Sequence, residues 1–385
     1  MATHAQLEAR EPQAEHDRTE RGRRSPDPAV AAVLELQRGA GNQAVARVLA
    51  RRTQPKPQHT GMRDDGRIAE YVRKAVIFIR NNPTAPLNHF ARFLGAAANV
   101  QLNTLGVPDM NVVVKANGGG GAHFSAEFWQ MFIDEDGFTH REGVTTLGEL
   151  TDDEAAIIAM NVWHEARHAE QRFRVARVEA GAGRPIGFPQ IDADVGEAAE
   201  AQPLTQRAMP AHEVRETEAW RENQLGEDSV YRQAVTGWQS EVRQASRLAH
   251  GVAPEEVNQQ KNPLQPADVR DQIGRMLKGW NKPGAGMEVV RTHLPSAERR
   301  KRTTMIADIK LMIQCFATAQ AELAALPAQP GRADFAKLAD ALRQLVRAID
   351  AAYRNQPVEK DAHETGGAAF DAFHGELAKQ RAAKP

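Results

Sequence analysis

The segment that most constrains this chain is a long predicted helix that carries two histidines four residues apart. Thr151 and Glu154 form a predicted capping box that marks where the helix begins, and an apolar run follows directly. Because residues four apart share one face of a helix, the imidazoles of His164 and His168 can reach one metal ion. Glu165, beside the first histidine, points towards the same cleft and can accept a proton from a water molecule there.

The pentapeptide His-Glu-x-x-His also occurs by chance on charged surface helices. Two features of its surroundings favour a functional site over that alternative. Ile157, Asn161, His164 and His168 fall on one stripe at helical spacing, and a strand-like segment precedes the helix. The sequence therefore predicts a Zn²⁺ site with His164 and His168 as metal ligands and Glu165 as the general base.

The stretch HEARHAEQRF resembles the gluzincin class of zinc metallopeptidases. That resemblance implies a zincin-like fold, peptide hydrolysis, and a third zinc ligand supplied by a glutamate in a Glu-x-x-Ala pattern on a later helix. The extended pattern with a third histidine is absent, because Gln171 and Arg174 occupy the positions of its glycine and its histidine. A catalytic zinc needs three protein ligands and one open position, so a distant glutamate is required.

Two segments offer that glutamate. Glu359 with Ala362 follows a tyrosine and a proline that suits the first position of a helix, whereas Glu216 is nearer in sequence to the histidines. We expect Glu359 to be the third ligand, with Glu216 as the alternative. Four further side chains are candidates for donating to the oxyanion or for supporting the ligands: Tyr353, Tyr231, His212 and His363.

Composition excludes several classes of partner and site. The chain has 385 residues and a formal net charge of −1, so we expect no bulk attraction to nucleic acid or anionic lipid. Its single cysteine, Cys315, lies in an apolar helical pattern and cannot build a cysteine-based zinc site. No segment has the apolar length of a signal peptide or of a membrane span, so membrane insertion is not expected.

The organisation along the chain follows from shifts in composition. Residues 1–28 are predicted to be a disordered leader, 29–52 an amphipathic docking or packaging segment, and 53–60 a linker. Residues 61–385 form the predicted metallopeptidase-like domain, with the sheet and zinc helix in 61–180 and a helical part in 181–385. The fold class is therefore α+β and mostly helical, with a small antiparallel sheet and a C-terminal helical bundle.

Strand-like patterns lie at 111–114 and at 122–134, and the glycine run at 117–121 between them is predicted to be a hairpin loop. The aromatic-rich region of the second pattern could pair with an extended peptide by adding it to the edge of the sheet, or its side chains could simply pack in the core. This region surrounds Phe128, Trp129, Met131 and Phe132.

The segment LQRGAGNQAV at 36–45 is similar to one found near the N-terminus of bacterial proteins linked to extracellular contractile injection systems, toxin cargo among them. The resemblance implies that residues 29–52 bind the tube or a loading component of such a particle. The alternative is a plain helix pair that caps the main domain. The positions that carry the resemblance are Leu36, Gln37, Arg38, Gly41, Asn42 and Val45.

The sequence thus predicts a zinc-dependent peptidase made in the bacterial cytoplasm and delivered to a target cell, where it cleaves a polypeptide. Two other classes of function stay open. One is a non-catalytic interaction or assembly protein of the injection particle, which Glu165→Gln would leave unimpaired. The other is a metallohydrolase that acts on a non-peptide amide and would have a narrow small-molecule substrate range.

Overall fold

The computed structural model describes residues 60–115, 121–139, 141, 143–186, 191–252 and 265–382. The predicted leader, the docking segment and the linker up to residue 59 lie outside these ranges. The described chain is mostly helical with one small sheet, so the α+β, mostly helical class is confirmed. Its helices are α1 (Asp65–Asn81), α2 (Leu87–Asn103), α3 (Asp152–Gly181), α4 (Ala193–Ala201), α5 (Ala211–Leu225), α6 (Asp228–Val252), α7 (Pro266–Trp280), α8 (Gly286–Arg299), α9 (Thr303–Ala325), α10 (Phe335–Arg354) and α11 (Pro357–Ala382).

Helix α3 begins where its capping residues predict. The Thr151 hydroxyl accepts a hydrogen bond from the Glu154 backbone N–H, and the Glu154 carboxylate accepts one from the Thr151 N–H at 2.8 Å. Most of the helix is buried, because α2, the sheet, α4 and α11 pack around it. The central position of α3 explains why its charged side chains must find partners inside the protein.

The sheet contains three strands in the order β1-β3-β2. Strand β1 (Asn111–Lys115) pairs with β3 (Gln130–Asp134) in parallel, and β2 (Ala122–Ser125) pairs with β3 in the antiparallel direction. The predicted antiparallel sheet is therefore wrong for one of its two pairs, because the sheet is mixed. The predicted hairpin loop at 117–121 is also wrong, since β1 and β2 are separated by β3; its residues 117–120 lie outside the described ranges.

The aromatic pattern spans a turn and the central strand. Phe128 is exposed in the turn, Trp129 is buried with a positive φ of 43°, and Met131 and Phe132 lie on β3. Because β3 is paired on both sides, these residues offer no free edge to a peptide, and that part of the edge-addition prediction is wrong. The free edge near α3 belongs to β2 instead.

Two apolar clusters organise the helices. One gathers α1, α2, the sheet, α3, α4 and the C-terminal half of α11; the other is a helical bundle of α6 to α10. Apolar stripes at 269–280, 309–326 and 335–353 form the core of the bundle, and Cys315 is buried in it. Helix α11 leaves the bundle and runs back along α3 and α1, so the end of the described chain meets its beginning. No helix among the described residues is long and apolar enough to cross a membrane.

Candidate metal centre

The candidate centre lies where α11 crosses α3, and small residues make the crossing close. Ala362 is fully buried in this contact. A Cβ atom added to Gly366 would lie 3.2 Å from the Met160 carbonyl oxygen and 3.3 Å from the His164 Cβ. Side chains larger than alanine at these positions would hold the helices apart. The close approach brings the first turn of α11, which carries Glu359, against the histidine pair of His164 and His168.

Three potential ligand atoms face one another at this crossing. The Nε2 atoms of His164 and His168 are 3.1 Å apart. The Glu359 Oε2 atom lies 3.4 Å from the His168 Nε2 and 3.8 Å from the His164 Nε2. Ligand atoms bound tetrahedrally at about 2.1 Å from a zinc ion are roughly 3.4 Å apart, so the three separations match that geometry.

The chemistry of these atoms also fits a cation. The Glu359 Oε2 is buried and has no hydrogen-bond partner within the described part of the chain, although an unpaired buried carboxylate oxygen is costly. It faces the two Nε2 atoms, and the short contact between them has room for only one hydrogen, so at least one of them presents a lone pair. A divalent cation at the centre of the three atoms would satisfy all of them at once.

His363 lies beside this group, one helical turn beyond Glu359. Its ring centroid is 4.5 Å from that of His164, and its ligand atom falls within 4.8 Å of those of His164 and Glu359. The group His164, Glu359 and His363 is therefore a second possible combination of ligands. The ligand atoms of His164, His168 and Glu359 lie closer together than those of this second group. Because His363 is also exposed, it suits the solvent side of the centre.

Gln171 orients one of the two histidines. Its amide nitrogen donates to the Val358 carbonyl at 3.0 Å and to Asp361 Oδ2 at 2.7 Å, which fixes the direction of the amide. The Gln171 Oε1 therefore faces the His168 Nδ1 at 2.9 Å and accepts a hydrogen bond from the Nδ1–H. When the ring is neutral, with its hydrogen on Nδ1, the lone pair of the His168 Nε2 points at the candidate metal position.

A buried ion-pair network fastens α11 to α3 next to the ligands. Arg167 is almost fully buried and donates to Asp361 Oδ2 at 2.7 Å and to Glu170 Oε2 at 2.5 Å. Arg63 donates to the other oxygen of Asp361 at 2.9 Å. The Arg167 guanidinium also stacks over the Trp220 ring, 4.9 Å from its centroid. The network determines the position of Asp361 and thereby of the turn that carries Glu359.

Glu165 projects from α3 towards the free edge of β2. In the antiparallel β2–β3 pair, Asp134 donates to Gly121, so Phe124 falls at a position whose N–H points away from β3. That N–H donates to Glu165 Oε2 at 2.8 Å, while Glu165 Oε1 lies 3.9 Å from the His164 Nε2. One carboxylate oxygen is thus held by the strand and the other faces the candidate metal position.

The buried groups perturb one another's titration. Burial raises the pKa of Glu165 to about 7, and burial together with the charge of His168 lowers the pKa of His164 to about 3. Burial opposes the charge on His168, but Glu359 outweighs it and raises the pKa of His168 to about 9. Burial likewise opposes the charge on Glu359, whose pKa nevertheless falls to about 2 beside His168. Without a metal ion, the pocket therefore favours a protonated His168 facing an ionised Glu359, and a metal ion would take the place of that proton.

The structure places the other predicted site residues at different distances from the histidine pair. Tyr353 lies close to Glu359, and its hydroxyl helps to lower the pKa of that carboxylate. Tyr231 is buried in the helical bundle, where its ring lies 5.3 Å from that of His293, and it does not belong to the histidine pair's surroundings. Glu216 lies on α5, 4.0 Å from the Arg63 guanidinium, and His212 is exposed on the same helix. Of the two glutamates, the structure brings Glu359 and not Glu216 to the histidines.

Sequence reasoning missed the side chains that support these ligands, namely Gln171, Arg167 and Asp361. A partial signal exists, because Arg167, Glu170, Gln171 and Arg174 are three or four residues apart and share one face of the helix. None of the protein-family models, curated proteins or solved structures with which this chain was compared matches it.

Proposed function

We propose that this chain is a zinc-dependent peptidase. The observation that carries the proposal is the placement of Glu359 Oε2, which is buried without a hydrogen bond from any described residue and lies 3.4 Å and 3.8 Å from the Nε2 atoms of the histidine pair. Two imidazoles and one carboxylate are the ligand set of a catalytic zinc with an open position, and Glu165 beside it suits a general base. The zincin-like character suggested by the pentapeptide is part of this proposal.

In this proposal His164, His168 and Glu359 hold the metal. A zinc ion held there supplies Lewis acidity, which polarises the scissile carbonyl and makes a water molecule more acidic. Glu165 takes the proton of the attacking water through Oε1 and later delivers it to the leaving amine. The Phe124 N–H holds Oε2 throughout, so the carboxylate keeps its orientation. His363 or Tyr353 is positioned to donate to the developing oxyanion.

The free edge of β2 supports a polypeptide substrate over a small amide. The Phe124 N–H is engaged by Glu165, so the groups left on this edge for an extended peptide are the Phe124 carbonyl and the outward N–H and carbonyl of Ala122. Main-chain pairing would place a scissile bond beside Glu165 without requiring a particular side chain. A narrow small-molecule substrate range would instead favour the alternative of a metallohydrolase for non-peptide amides.

Metal content tests the site directly. Elemental analysis of purified protein is expected to give near-stoichiometric zinc in the wild type and in Glu216→Ala, and little in His164→Ala and Glu359→Ala. Glu216→Ala is the matched control, because it removes a helical glutamate on α5 that faces Arg63. Absence of zinc from a folded, unstripped wild type, or its loss only in Glu216→Ala, would refute the proposed centre.

Proteolysis tests the reaction. Cleavage of an unfolded protein substrate is expected in the wild type and is expected to be abolished in Glu165→Gln, which keeps its zinc. The conservative change removes the base but leaves the metal ligands intact. Zinc-loaded wild type without any turnover would support the alternative in which the chain is an interaction or assembly protein of a particle.

We further propose that the peptidase is cargo of a contractile injection system, made in the bacterial cytoplasm and delivered to a target cell. This rests on the resemblance at 36–45, which lies outside the described residues. Particles are expected to retain the full chain and to lose it on deletion of residues 29–52. A triple change of Leu36, Gly41 and Val45 to aspartate tests the motif itself. Equal loading of that variant and wild type would remove this part of the proposal.

A further inference from the structure

Two arginines beside the candidate metal centre have no acidic partner. Arg172 lies on α3 one helical turn after His168, and Arg232 lies in the first turns of α6. Neither guanidinium forms an ion pair with a described carboxylate, and Arg172 makes no hydrogen bond to a described residue. Both side chains are half-buried, and their unbonded nitrogens keep accessible surface. Because charged side chains in such places are normally paired, these two are candidates for binding an anion from outside the chain.

The charges of the two arginines act on each other and on Glu359. Burial and the charge of Arg232 lower the pKa of Arg172 to about 10, although the charge of Glu359 opposes that change. Burial likewise lowers the pKa of Arg232, again against the charge of Glu359. The two guanidinium groups are therefore close enough to repel each other. Glu359 cannot fully relieve this repulsion, because its Oε2 is directed to the histidine pair.

Arg172 lies on the face of α3 that carries the proposed general base. Glu165 and Arg172 are seven residues apart, which is close to two helical turns, so their side chains project to the same side. The rise of the helix separates their Cα atoms by about 10 Å. Glu179 is two turns further along this face, and its carboxylate is already engaged by Arg184 and Arg221. The face thus presents a base and, two turns away, a cation that no described carboxylate pairs with.

The free edge of β2 leads from Glu165 towards Arg172. The Phe124 N–H on β2 donates to Glu165 at 2.8 Å. The turn after β2 carries Trp129, whose ring centroid is 6.5 Å from that of Phe173, the residue next to Arg172. Strand and helix therefore run side by side in one direction between the base and the arginine. An extended peptide advances about 3.3 Å per residue, so about three of its residues would cover this distance.

A small recess beside Arg172 shows that Arg232 lies at the same end of the cleft. The recess is lined by Arg172, by Ile191 from the segment before α4, and by Leu225 at the end of α5. Arg232 donates through Nε to the Asn223 carbonyl at 3.2 Å, which anchors its guanidinium at the same end of α5. Its two terminal nitrogens make no hydrogen bond within the described chain.

We propose that Arg172 and Arg232 bind a carboxylate of the polypeptide substrate and so determine its specificity. This inference rests on the proposed peptidase function and adds the class of substrate, a peptide with a carboxylate about two to four residues from the scissile bond. The carboxylate belongs to an aspartate or glutamate side chain or to the C-terminus. Two guanidinium groups offer several N–H donors to its two oxygens, and its negative charge offsets their mutual repulsion.

Peptide binding to a full-length protein that lacks the general base tests this site without turnover. Zinc-loaded Glu165→Gln protein is titrated with labelled peptides in which one glutamate is moved through a neutral sequence that ends in an amide. The best-placed glutamate is expected to tighten binding at least about tenfold over the matched glutamine peptide, because charge-assisted hydrogen bonds are strong. A second series has no glutamate but a free C-terminal carboxylate. Tighter binding in only one series identifies the source of the carboxylate.

Arginine variants in the same background locate the effect. Arg172→Gln and Arg232→Gln are each expected to reduce the glutamate preference to nearly one, whereas Arg172→Lys keeps the charge and should retain part of it. Two controls, Arg177→Gln on α3 and Arg243→Gln on α6, remove arginines whose guanidinium groups have other partners. Both controls should keep the full preference. Thermal unfolding of every variant verifies that it is folded.

Equal binding of carboxylate-bearing and neutral peptides in both series would overturn the proposal, as would a preference that survives in both arginine-to-glutamine variants. Failure of the folded protein to bind any peptide would also overturn it. These outcomes are distinct from failure of the peptidase proposal, which zinc content and proteolysis decide. An active, zinc-loaded peptidase without a preference for the carboxylate would refute only this inference. A protein without zinc that prefers these peptides through Arg172 would refute only the peptidase.

Discussion

Replacing Gln171 with leucine is the sharpest test of how the metal centre is held. The two side chains have similar size, but leucine cannot accept the His168 Nδ1–H at 2.9 Å or donate to the Val358 carbonyl at 3.0 Å. His168 is then free to rotate or to change tautomer. Loss of a partner that orients a metal-bound histidine typically weakens metal binding about 10–100-fold. We therefore expect zinc affinity to fall by about 1.4–2.8 kcal/mol.

The same substitution has a separate effect on the metal-free protein. Gln171 is fully buried, so leucine leaves the His168 N–H without a partner, whereas the Val358 carbonyl keeps the Ala362 N–H of its own helix. One such group costs about 1–3 kcal/mol, which predicts a loss of about 1–3 kcal/mol in the free energy of unfolding. Asp361 loses less, because Arg167 still donates to it.

Two assays separate these effects. Competition with a chromophoric chelator measures the zinc affinity of the folded variant, and urea unfolding in excess chelator measures the stability of the metal-free protein. Gln239→Leu is the control, because Gln239 donates one hydrogen bond to Asp350 at 2.6 Å within the helical bundle. A folded Gln171→Leu protein that binds zinc as tightly as wild type and Gln239→Leu would refute the role of Gln171 in orienting His168.

Three further predictions concern stability. Gly366→Val should lower the free energy of unfolding by about 1–3 kcal/mol, because the new Cβ meets Met160 and His164. In the control Gly367→Val, the new Cβ meets nothing within 4 Å, so no such loss is expected. Urea titration compares the two variants, and equal effects would contradict the close crossing of α3 and α11. Arg167→Met should cost up to about 3–5 kcal/mol, because Asp361 and Glu170 lose their fully buried partner and keep only Arg63 and Arg174 as ionic partners; a thermal shift no larger than that of an exposed Arg→Met change would disprove this. Burial opposes the charge on Glu179, but Arg184 and Arg221 hold its pKa below 4.5. The ionised carboxylate therefore stabilises the fold fully above pH 4.5, and this stabilisation is lost as the pH falls further. Glu179→Gln should make the free energy of unfolding less dependent on pH in that acidic range, and an unchanged dependence would argue against this.

The helix of the histidine pair was predictable because its signals are local. The capping box at Thr151 and the spacing of His164 and His168 depend on residues within one or two turns of each other. The start of α11 at Pro357 is equally local, since proline suits the first turn of a helix. These local patterns also placed Glu359 in the first turn of a helix, which is where it must be to face α3.

What could not be predicted depends on contacts between distant parts of the chain. Gln171 and Asp361 are 190 residues apart, and neither has a local pattern that names its partner. The parallel pairing of β1 with β3 was equally hidden, because β2 intervenes in sequence but lies at the other edge of the sheet. Strand patterns indicate which residues are buried, but they carry little information on which strands lie side by side or in which direction each strand runs.

The order in which this chain is synthesised gives the α3–α11 crossing a consequence in time. Arg167 and Asp361, which meet beside the metal centre, are 194 residues apart. At about 5–20 residues per second, a ribosome needs roughly 10–40 s to pass from the first to the second. During that interval the histidine pair exists without the carboxylate that would complete the proposed ligand set. In that proposal, metal capture would be a late event in the maturation of the protein, and a fragment that stops before α11 would have the two histidines and Glu165 but not the proposed third ligand.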